Sequence, residues 1–174
     1  LEVFKELKLE EKKGTNYYYD KLVKGAQDGS CPALNNAIAA DAFVPQNYSE
    51  VRWARNMALL NLSLMDAAIS CWDAKYYYFN PRPTQMDTSI KTLTGIPNFP
   101  AYVSGHSTFS GAAATVLSHI IPVKATEFKA LAKDASNSRL FGAIHYRSDC
   151  EKGLLLGETV GGFAVARARV DGAE

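Results

Sequence analysis

The stretch Phe99–Gly111, FPAYVSGHSTFSG, decides the interpretation of this chain. A Ser-Gly-His triplet at 104–106 stands directly before Ser107–His119, an Ala-rich run whose composition predicts a helix. The hydroxyls of Ser107 and Thr108 are suited to the N-cap of that helix. A helix N-terminus carries unpaired amides and the positive end of the macrodipole, and glycine lets the backbone approach a ligand closely. The stretch therefore predicts an anion pocket with a histidine proton donor; the alternative is an ordinary glycine-containing turn.

Two further stretches carry charged and titratable residues at characteristic separations along the chain. Upstream, Lys75 precedes Arg82 by seven residues; downstream, His145 follows Arg139 by six residues and precedes Asp149 by four. Arginine offers forked donors that suit an oxyanion and stays protonated. Asp149 can bind one ring nitrogen of His145 and leave the other as a nucleophile or a metal ligand. Taken singly, each cation could be a surface charge, and His145 could be a buried residue that caps a helix.

Together the three stretches resemble the superfamily of type 2 phosphatidic acid phosphatases, bacterial class A acid phosphatases and vanadium-dependent haloperoxidases. The motifs span Lys75–Asp149, under half of the chain, and they occur in the family's order and with its spacing. The resemblance implies an all-α helical bundle of the vanadium haloperoxidase and acid phosphatase type. It also implies that vanadate or phosphate oxygens are bound by Lys75, Arg82, Ser104, Gly105 and Arg139.

The same resemblance implies roles for two histidines and an aspartate. In a phosphatase, His145 would attack phosphorus and form a phospho-histidine, while His106 would protonate the leaving alcohol. In a haloperoxidase, His145 would coordinate the vanadium of vanadate, and His106 would assist the protonation of peroxide. Asp149 would hold His145 in either case, since vanadate mimics the pentacoordinate phosphoryl transition state. The third histidine, His119, is interpreted as structural.

Aromatic residues favour the haloperoxidase branch. The sequence around the Ser-Gly-His triplet resembles that of chloroperoxidases, which implies that Trp72 and Phe99 line the halide side of the site. A plain core position is the alternative for both. Val103 stands where the family usually has proline, and the separation between Arg82 and Ser104 is closer to that of the bacterial phosphatases. We expect halide oxidation with hydrogen peroxide; phosphomonoester hydrolysis and a non-enzymatic oxyanion-binding domain are the alternatives.

The amino-acid composition limits the kinds of partner that the protein could bind. Of the 174 residues, 47% are hydrophobic and 21% charged, with a formal net charge of +1, so we expect neither nucleic acid nor an acidic membrane surface as a partner. No apolar run reaches the roughly 20 residues of a membrane span. Cys31, Cys71 and Cys150 show no metal-binding spacing and could form one disulfide or remain three buried thiols. Soluble members of the superfamily that the motifs resemble are commonly exported, so the resemblance implies an exported or periplasmic bacterial protein.

Helical periodicity runs through the chain without alternating strand patterns. We interpret residues 1–48 as an N-terminal helical segment of the same domain and residues 49–174 as the bundle core with the oxyanion site. Family haloperoxidases are much longer, so we expect a further N-terminal helical part that is missing or supplied by a second chain. The predicted helices are short ones within Leu1–Lys13 and Gly14–Ser30, then Ala33–Ala42, Ser49 to about Phe79, Ser107–Ile121, Thr126 to about Phe141, and Ser148 to about Val170, the last with Gly153, Gly157 and Gly161 on one face.

Overall fold

The architecture is all-α in the part of the chain that is described, residues 31–172 of a computed structural model, with one long irregular segment between Met86 and Gly105. Its helices are α1 (Cys31–Phe43), α2 (Glu50–Tyr78), α3 (Pro83–Met86), α4 (Gly105–Ile120), α5 (Ala125–Phe141) and α6 (Arg147–Ala168). No strand occurs within that range, and the prediction of an all-α fold is confirmed. The helices predicted within Leu1–Lys13 and Gly14–Ser30 lie outside the described residues.

Helix α2 begins and ends where the sequence predicts. Ser49 is extended and its hydroxyl accepts from the Arg52 amide at 3.3 Å, which caps the first turn. Phe79 adopts a left-handed conformation, φ 51°, and its amide donates to the Lys75 carbonyl. The prolines that follow stop the helix. The segment that leads from α2 to α4 contains the short helix α3. Lys75 consequently lies in the last turn of α2. Arg82 lies in the short connection to α3, as the N-cap of that helix.

Helix α4 begins one turn earlier than predicted. Ser104, not Ser107 or Thr108, is the N-cap, and its hydroxyl accepts from the Ser107 amide at 3.4 Å. The hydroxyls expected to cap have other partners: Ser107 bonds to Ser136 of α5 at 2.8 Å, and Thr108 donates to the Ser104 carbonyl at 2.9 Å. Gly105 is therefore the first residue of the helix, so the predicted turn is the helix N-terminus itself.

The start of α6 also differs from the sequence prediction. The sequence places the start of the last helix at Ser148, whereas Tyr146 is the N-cap and the helix begins at Arg147. The Asp149 carboxylate accepts a hydrogen bond from the Tyr146 amide at 3.1 Å. A side chain in the first turn of the helix thus caps its N-terminus. This bond fixes the carboxylate beside the start of the helix.

The three glycines on one face of α6 set its distance from α4. A Cβ on Gly153 would lie 2.8 Å from the Ser104 carbonyl oxygen, and one on Gly161 would lie 2.8 Å from that of Ala112. A Cβ on Gly157 would overlap the Thr108 carbonyl. Because the backbones approach this closely, the first turns of the two helices lie side by side.

The hydrophobic core surrounds α4, which contacts α1, α2, α5 and α6. Small side chains line much of α4, so its neighbours can approach it from several directions. The three cysteines are buried free thiols, and no helix among residues 31–172 has the length and apolar character needed to cross a membrane. The largest core contributions come from Phe43, Leu59, Leu60, Leu64, Phe109, Val116, Leu117 and Phe128.

Candidate functional site

Four segments that are distant in sequence meet at the N-terminus of α4. They are the end of α2, the loop before α4, the end of α5 and the turn before α6, and they enclose a cavity of about 460 Å³. The structure brings six of the predicted site residues to its wall, and Lys75, Arg82, Ser104 and Asp149 lie behind them. The lining residues are Cys31, Pro32, Trp72, Thr94, Gly95, Pro97, Phe99, Gly105, His106, Phe109, Arg139, Ile144 and His145.

His145 is held from both ring nitrogens. Its Nδ1 lies 3.1 Å from the buried Asp149 carboxylate and its Nε2 lies 3.0 Å from Nη1 of Arg82. Burial, reinforced by the charges of Arg82 and Lys75, lowers the His145 pKa to about 3, and the hydrogen bond that Nδ1 donates to Asp149 opposes this shift only in part. The ring is therefore neutral at pH 7. Because a carboxylate accepts and a guanidinium donates, Nδ1 carries the proton and Nε2 presents its lone pair.

Arg82 joins the two loops that flank the cavity. Its Nε and Nη2 donate to the Phe99 carbonyl at 3.2 and 3.0 Å, and its Nη1 donates to the Ile144 carbonyl at 2.7 Å. Burial lowers the pKa of this guanidinium, an effect that the Asp149 carboxylate opposes. Every nitrogen of Arg82 has a protein acceptor, so this side chain determines the cavity's shape and puts a positive charge beside Nε2 of His145.

Lys75 is a fully buried cation that holds the loop before α4. Its ammonium donates to the carbonyls of Pro100, Ala101 and Val103 at 2.9, 3.1 and 2.6 Å. Burial lowers the Lys75 pKa to about 8, yet the ammonium has three protons for three carbonyls and remains charged at pH 7. These three hydrogen bonds fix the position of the backbone that leads into Ser104.

Arg139 differs from the other two cations. Its Nε donates to the Ser138 hydroxyl at 2.9 Å, but its buried Nη2 has no hydrogen-bond partner among the described atoms. The side chain is only 3% exposed, it lines the cavity, and burial lowers its pKa. Buried polar groups in proteins are almost always paired, so a buried guanidinium nitrogen without an acceptor indicates a site for an anion.

The N-terminus of α4 completes the polar side of the cavity. Gly105 and His106 form its first turn, where the helix macrodipole adds positive potential. The Ser104 amide donates to the Asp149 backbone carbonyl at 3.0 Å and thereby links the cap of α4 to the first turn of α6. A Cβ on Gly105 would lie 3.7 Å from Trp72, in ordinary contact, so alanine could be accommodated there.

Aromatic rings form an apolar part of the wall, beside the N-terminus of α4. The Trp72 ring centroid lies 5.2 Å from that of Phe99 and 6.2 Å from that of Phe109. Phe99 also lies under two cations, with Lys75 Nζ at 5.0 Å and the Arg82 guanidinium at 5.3 Å from its centroid. The cavity therefore has a cationic side and an apolar side.

The family follows from comparison with known proteins. The model of the PAP2 superfamily matches residues 56–170. This chain belongs to the PAP2 superfamily. Among solved structures, it resembles one described as the first bacterial vanadium-dependent iodoperoxidase, with a TM-score of 0.79 and 28% sequence identity over 95% of this chain. The alignment covers 47% of that protein, so this PAP2 chain spans about half its length. No curated protein matches the sequence.

Several wall residues of the PAP2 site were not found from the sequence. Phe109 lies one helical turn beyond Gly105 on α4, and the i, i+4 spacing could have placed it beside the triplet. The loop residues Thr94, Gly95 and Pro97 offered no comparable signal. Cys31 lies outside the PAP2 match, yet its thiol is 3.8 Å from the His106 carbonyl, and burial raises its pKa to about 11.

Proposed function

We propose that this PAP2 chain binds vanadate in the cavity at the N-terminus of α4 and oxidises halide with hydrogen peroxide. The observation that carries the proposal is the buried, unpartnered Nη2 of Arg139, a residue that lines the same cavity as neutral His145. An oxyanion would supply the acceptor that this nitrogen lacks. The residues present therefore fit vanadate, which when bound supplies a Lewis-acidic centre for activating peroxide.

Each residue of the site has a part that follows from its contacts. Arg139 would donate to the oxyanion, and Gly105 would bring the first-turn amides of α4 close to it. His145 would be the ligand through Nε2, because Asp149 holds the proton on Nδ1. Nε2 would exchange its hydrogen bond from Nη1 of Arg82 for the ligand, and Nη1 would keep the Ile144 carbonyl as its acceptor. Arg82 and Lys75 would supply positive potential and hold the surrounding backbone.

His106 would act as the acid–base group. It lies in the first turn of α4 and lines the cavity together with His145, so it can exchange a proton with a group bound there. The apolar rings of Trp72 and Phe99 would exclude water from one side and favour a weakly hydrated halide. The likeness to the iodoperoxidase supports this choice among PAP2 activities.

Phosphomonoester hydrolysis is a second candidate, favoured by the size of the cavity. Its volume of about 460 Å³ is many times the roughly 30 Å³ that one water occupies in the liquid, so an organic leaving group could enter with the phosphate. Nε2 of His145 would attack phosphorus, forming an N–P bond as the ester P–O bond breaks. His106 would give its proton to the leaving oxygen, and water would later hydrolyse the phospho-histidine.

A paired assay on one preparation tests the proposal. We expect halogenation of an indicator dye that requires vanadate, hydrogen peroxide and bromide or iodide together, and no hydrolysis of a chromogenic phosphate ester in the absence of vanadate. His145→Ala should abolish vanadate binding and halogenation, whereas His106→Ala should abolish halogenation and retain vanadate. Arg147→Gln, an exposed arginine on α6, is the control. Hydrolysis without halogenation would overturn the proposal in favour of the phosphatase, and vanadate binding with neither activity would indicate a non-enzymatic anion-binding domain.

A further inference from the structure

A second cavity lies at the other end of α4. It measures about 220 Å³ and is lined by Arg52, Arg55, Asn56, His119 and Ile120. The first three belong to the opening turns of α2 and the last two to the final turn of α4. Because α4 has 16 residues, the two ends are separated by about 24 Å at 1.5 Å per residue. This cavity is therefore separate from the candidate site at Gly105.

Two buried donors at this cavity have no hydrogen-bond partner among the described atoms. Asn56 is 2% exposed, and its Nδ2 is unpaired. Nε of Arg55 is unpaired as well, although Nη2 of the same guanidinium donates to the Ala168 carbonyl at 3.1 Å and to the Asp171 carboxylate at 2.9 Å. Two unpaired donors on adjacent residues indicate a ligand that accepts hydrogen bonds.

Charge favours an anion in this position. Arg52 and Arg55 each carry a full positive charge, whereas the carboxylate of Asp171 neutralises one of them. The N-terminal end of α2 adds about half a positive charge. The C-terminal ends of α4 and of α6, whose Ala168 carbonyl accepts from Arg55, each add about half a negative charge. The balance is about half a positive charge beside a cavity whose lining includes the two unpaired donors.

We propose that this cavity, which we name the α2–α4 pocket, is a second binding site for a small oxyanion of the phosphate class. Arg52 closes the pocket, with its guanidinium 5.4 Å from the Tyr48 ring centroid, and Arg55 Nε and the Asn56 amide bind the oxygens. The pocket shares no lining residue with the cavity of the proposed vanadate site. Its ligand can be free phosphate or the phosphate group of a monoester.

Nuclear magnetic resonance of side-chain N–H groups tests the proposal. The full chain is used with Arg139→Met, so that binding at the vanadate site is weakened and the signals report on the α2–α4 pocket. We expect the Arg55 Nε–H and Asn56 amide resonances to shift saturably as inorganic phosphate is added. A parallel titration with glycerol phosphate identifies the source, because tighter binding of the ester indicates a monoester ligand and equal or weaker binding indicates free phosphate.

Matched variants decide whether the shifts arise from the pocket. Arg52→Gln, at an exposed position, should weaken phosphate binding about tenfold through loss of a charge-assisted contact. Asn56→Ala should weaken it as well, and Arg147→Gln should leave the affinity unchanged. Shifts that never saturate would overturn the proposal and leave a water-filled cleft. The same conclusion would follow if Arg139→Met alone bound phosphate as tightly as Arg139→Met combined with Arg52→Gln or with Asn56→Ala. The result is independent of vanadate binding or turnover at the other cavity.

Discussion

The three buried cations of the PAP2 site differ in their hydrogen bonding. Lys75 and Arg82 direct their N–H groups at backbone carbonyls, whereas Arg139 keeps a nitrogen without an acceptor. Removing a cation that satisfies carbonyls leaves buried acceptors unpaired, whereas removing one with an orphaned donor relieves an existing penalty. The same kind of charge thus satisfies backbone carbonyls at two positions and keeps an unpaired donor at the third.

Arg139→Met and Arg82→Met should therefore separate binding from stability. We expect Arg139→Met to weaken vanadate binding about ten- to hundredfold and to lower the free energy of unfolding by less than about 1 kcal/mol. Arg82→Met leaves the carbonyls of Phe99 and Ile144 without this donor. It should therefore lower the free energy of unfolding by about 2 kcal/mol or more. Vanadate titration and urea unfolding of both variants provide the check. Equal losses of stability would contradict the distinction.

At the scale of elements, the contact between α4 and α6 positions the site. Gly153, Gly157 and Gly161 let the two backbones approach, and this approach brings the first turn of α6 beside that of α4. The Ser104 amide can then donate to the Asp149 carbonyl at 3.0 Å. A wider spacing would separate the histidine and its aspartate from the helix N-terminus.

Two glycines of α6 offer a matched test of this contact. Gly157→Ala places a methyl group against the Thr108 carbonyl and should lower the free energy of unfolding by about 1–3 kcal/mol. Gly162→Ala has nothing within 4 Å of its new Cβ and should raise stability by up to about 1 kcal/mol through helix propensity. Urea unfolding monitored by circular dichroism measures both. A neutral Gly157→Ala would show that the helices can separate without loss.

For the whole molecule, the site places ionisable groups inside a hydrophobic fold. His145, Asp149, Lys75 and Arg82 are all almost fully buried, and they come from segments up to 74 residues apart in a single network. Burial of a neutral histidine links the protonation of the site to the stability of the fold. The pH dependence of unfolding therefore reports on the assembled site.

Acid should destabilise the protein through His145. Its pKa is lowered from 6.5 to about 3 by burial, so the unfolded chain binds this proton first as the pH falls. The contribution of neutral His145 to the free energy of unfolding is fully present above pH 6.5. It is lost as the pH falls toward 3, with a slope of up to about 1.4 kcal/mol per pH unit. Urea unfolding between pH 4 and 7 should show a steeper dependence for wild type than for His145→Gln.

An independent measurement covers the case in which His145→Gln does not fold. The ¹⁵N resonances of His145 in the wild-type protein should stay those of a neutral ring protonated at Nδ1 from pH 5 to pH 8. A titration with a midpoint near 6.5 would contradict both the neutral state and the stability slope.

The sequence by itself determined where the five long helices of residues 31–172 lie, although the starts of α4 and α6 and the short helix α3 differ from the prediction. Ser49 caps α2, the Asn-Pro-Arg-Pro segment ends it, and the small residues of α4 and α6 predict their close contact, because capping, proline and periodicity act over a few residues. It also identified the motif residues that the structure gathers at one cavity.

Only the tertiary structure decided which polar groups pair. Ser107 looks like a cap, yet its hydroxyl bonds to Ser136, which is 29 residues away, so that Ser104 caps instead. The orphaned nitrogen of Arg139 and the second cavity at Arg55 likewise depend on segments brought together from distant parts of the chain. A buried donor takes whichever acceptor the packed helices place within about 3 Å, and local sequence patterns do not encode that choice.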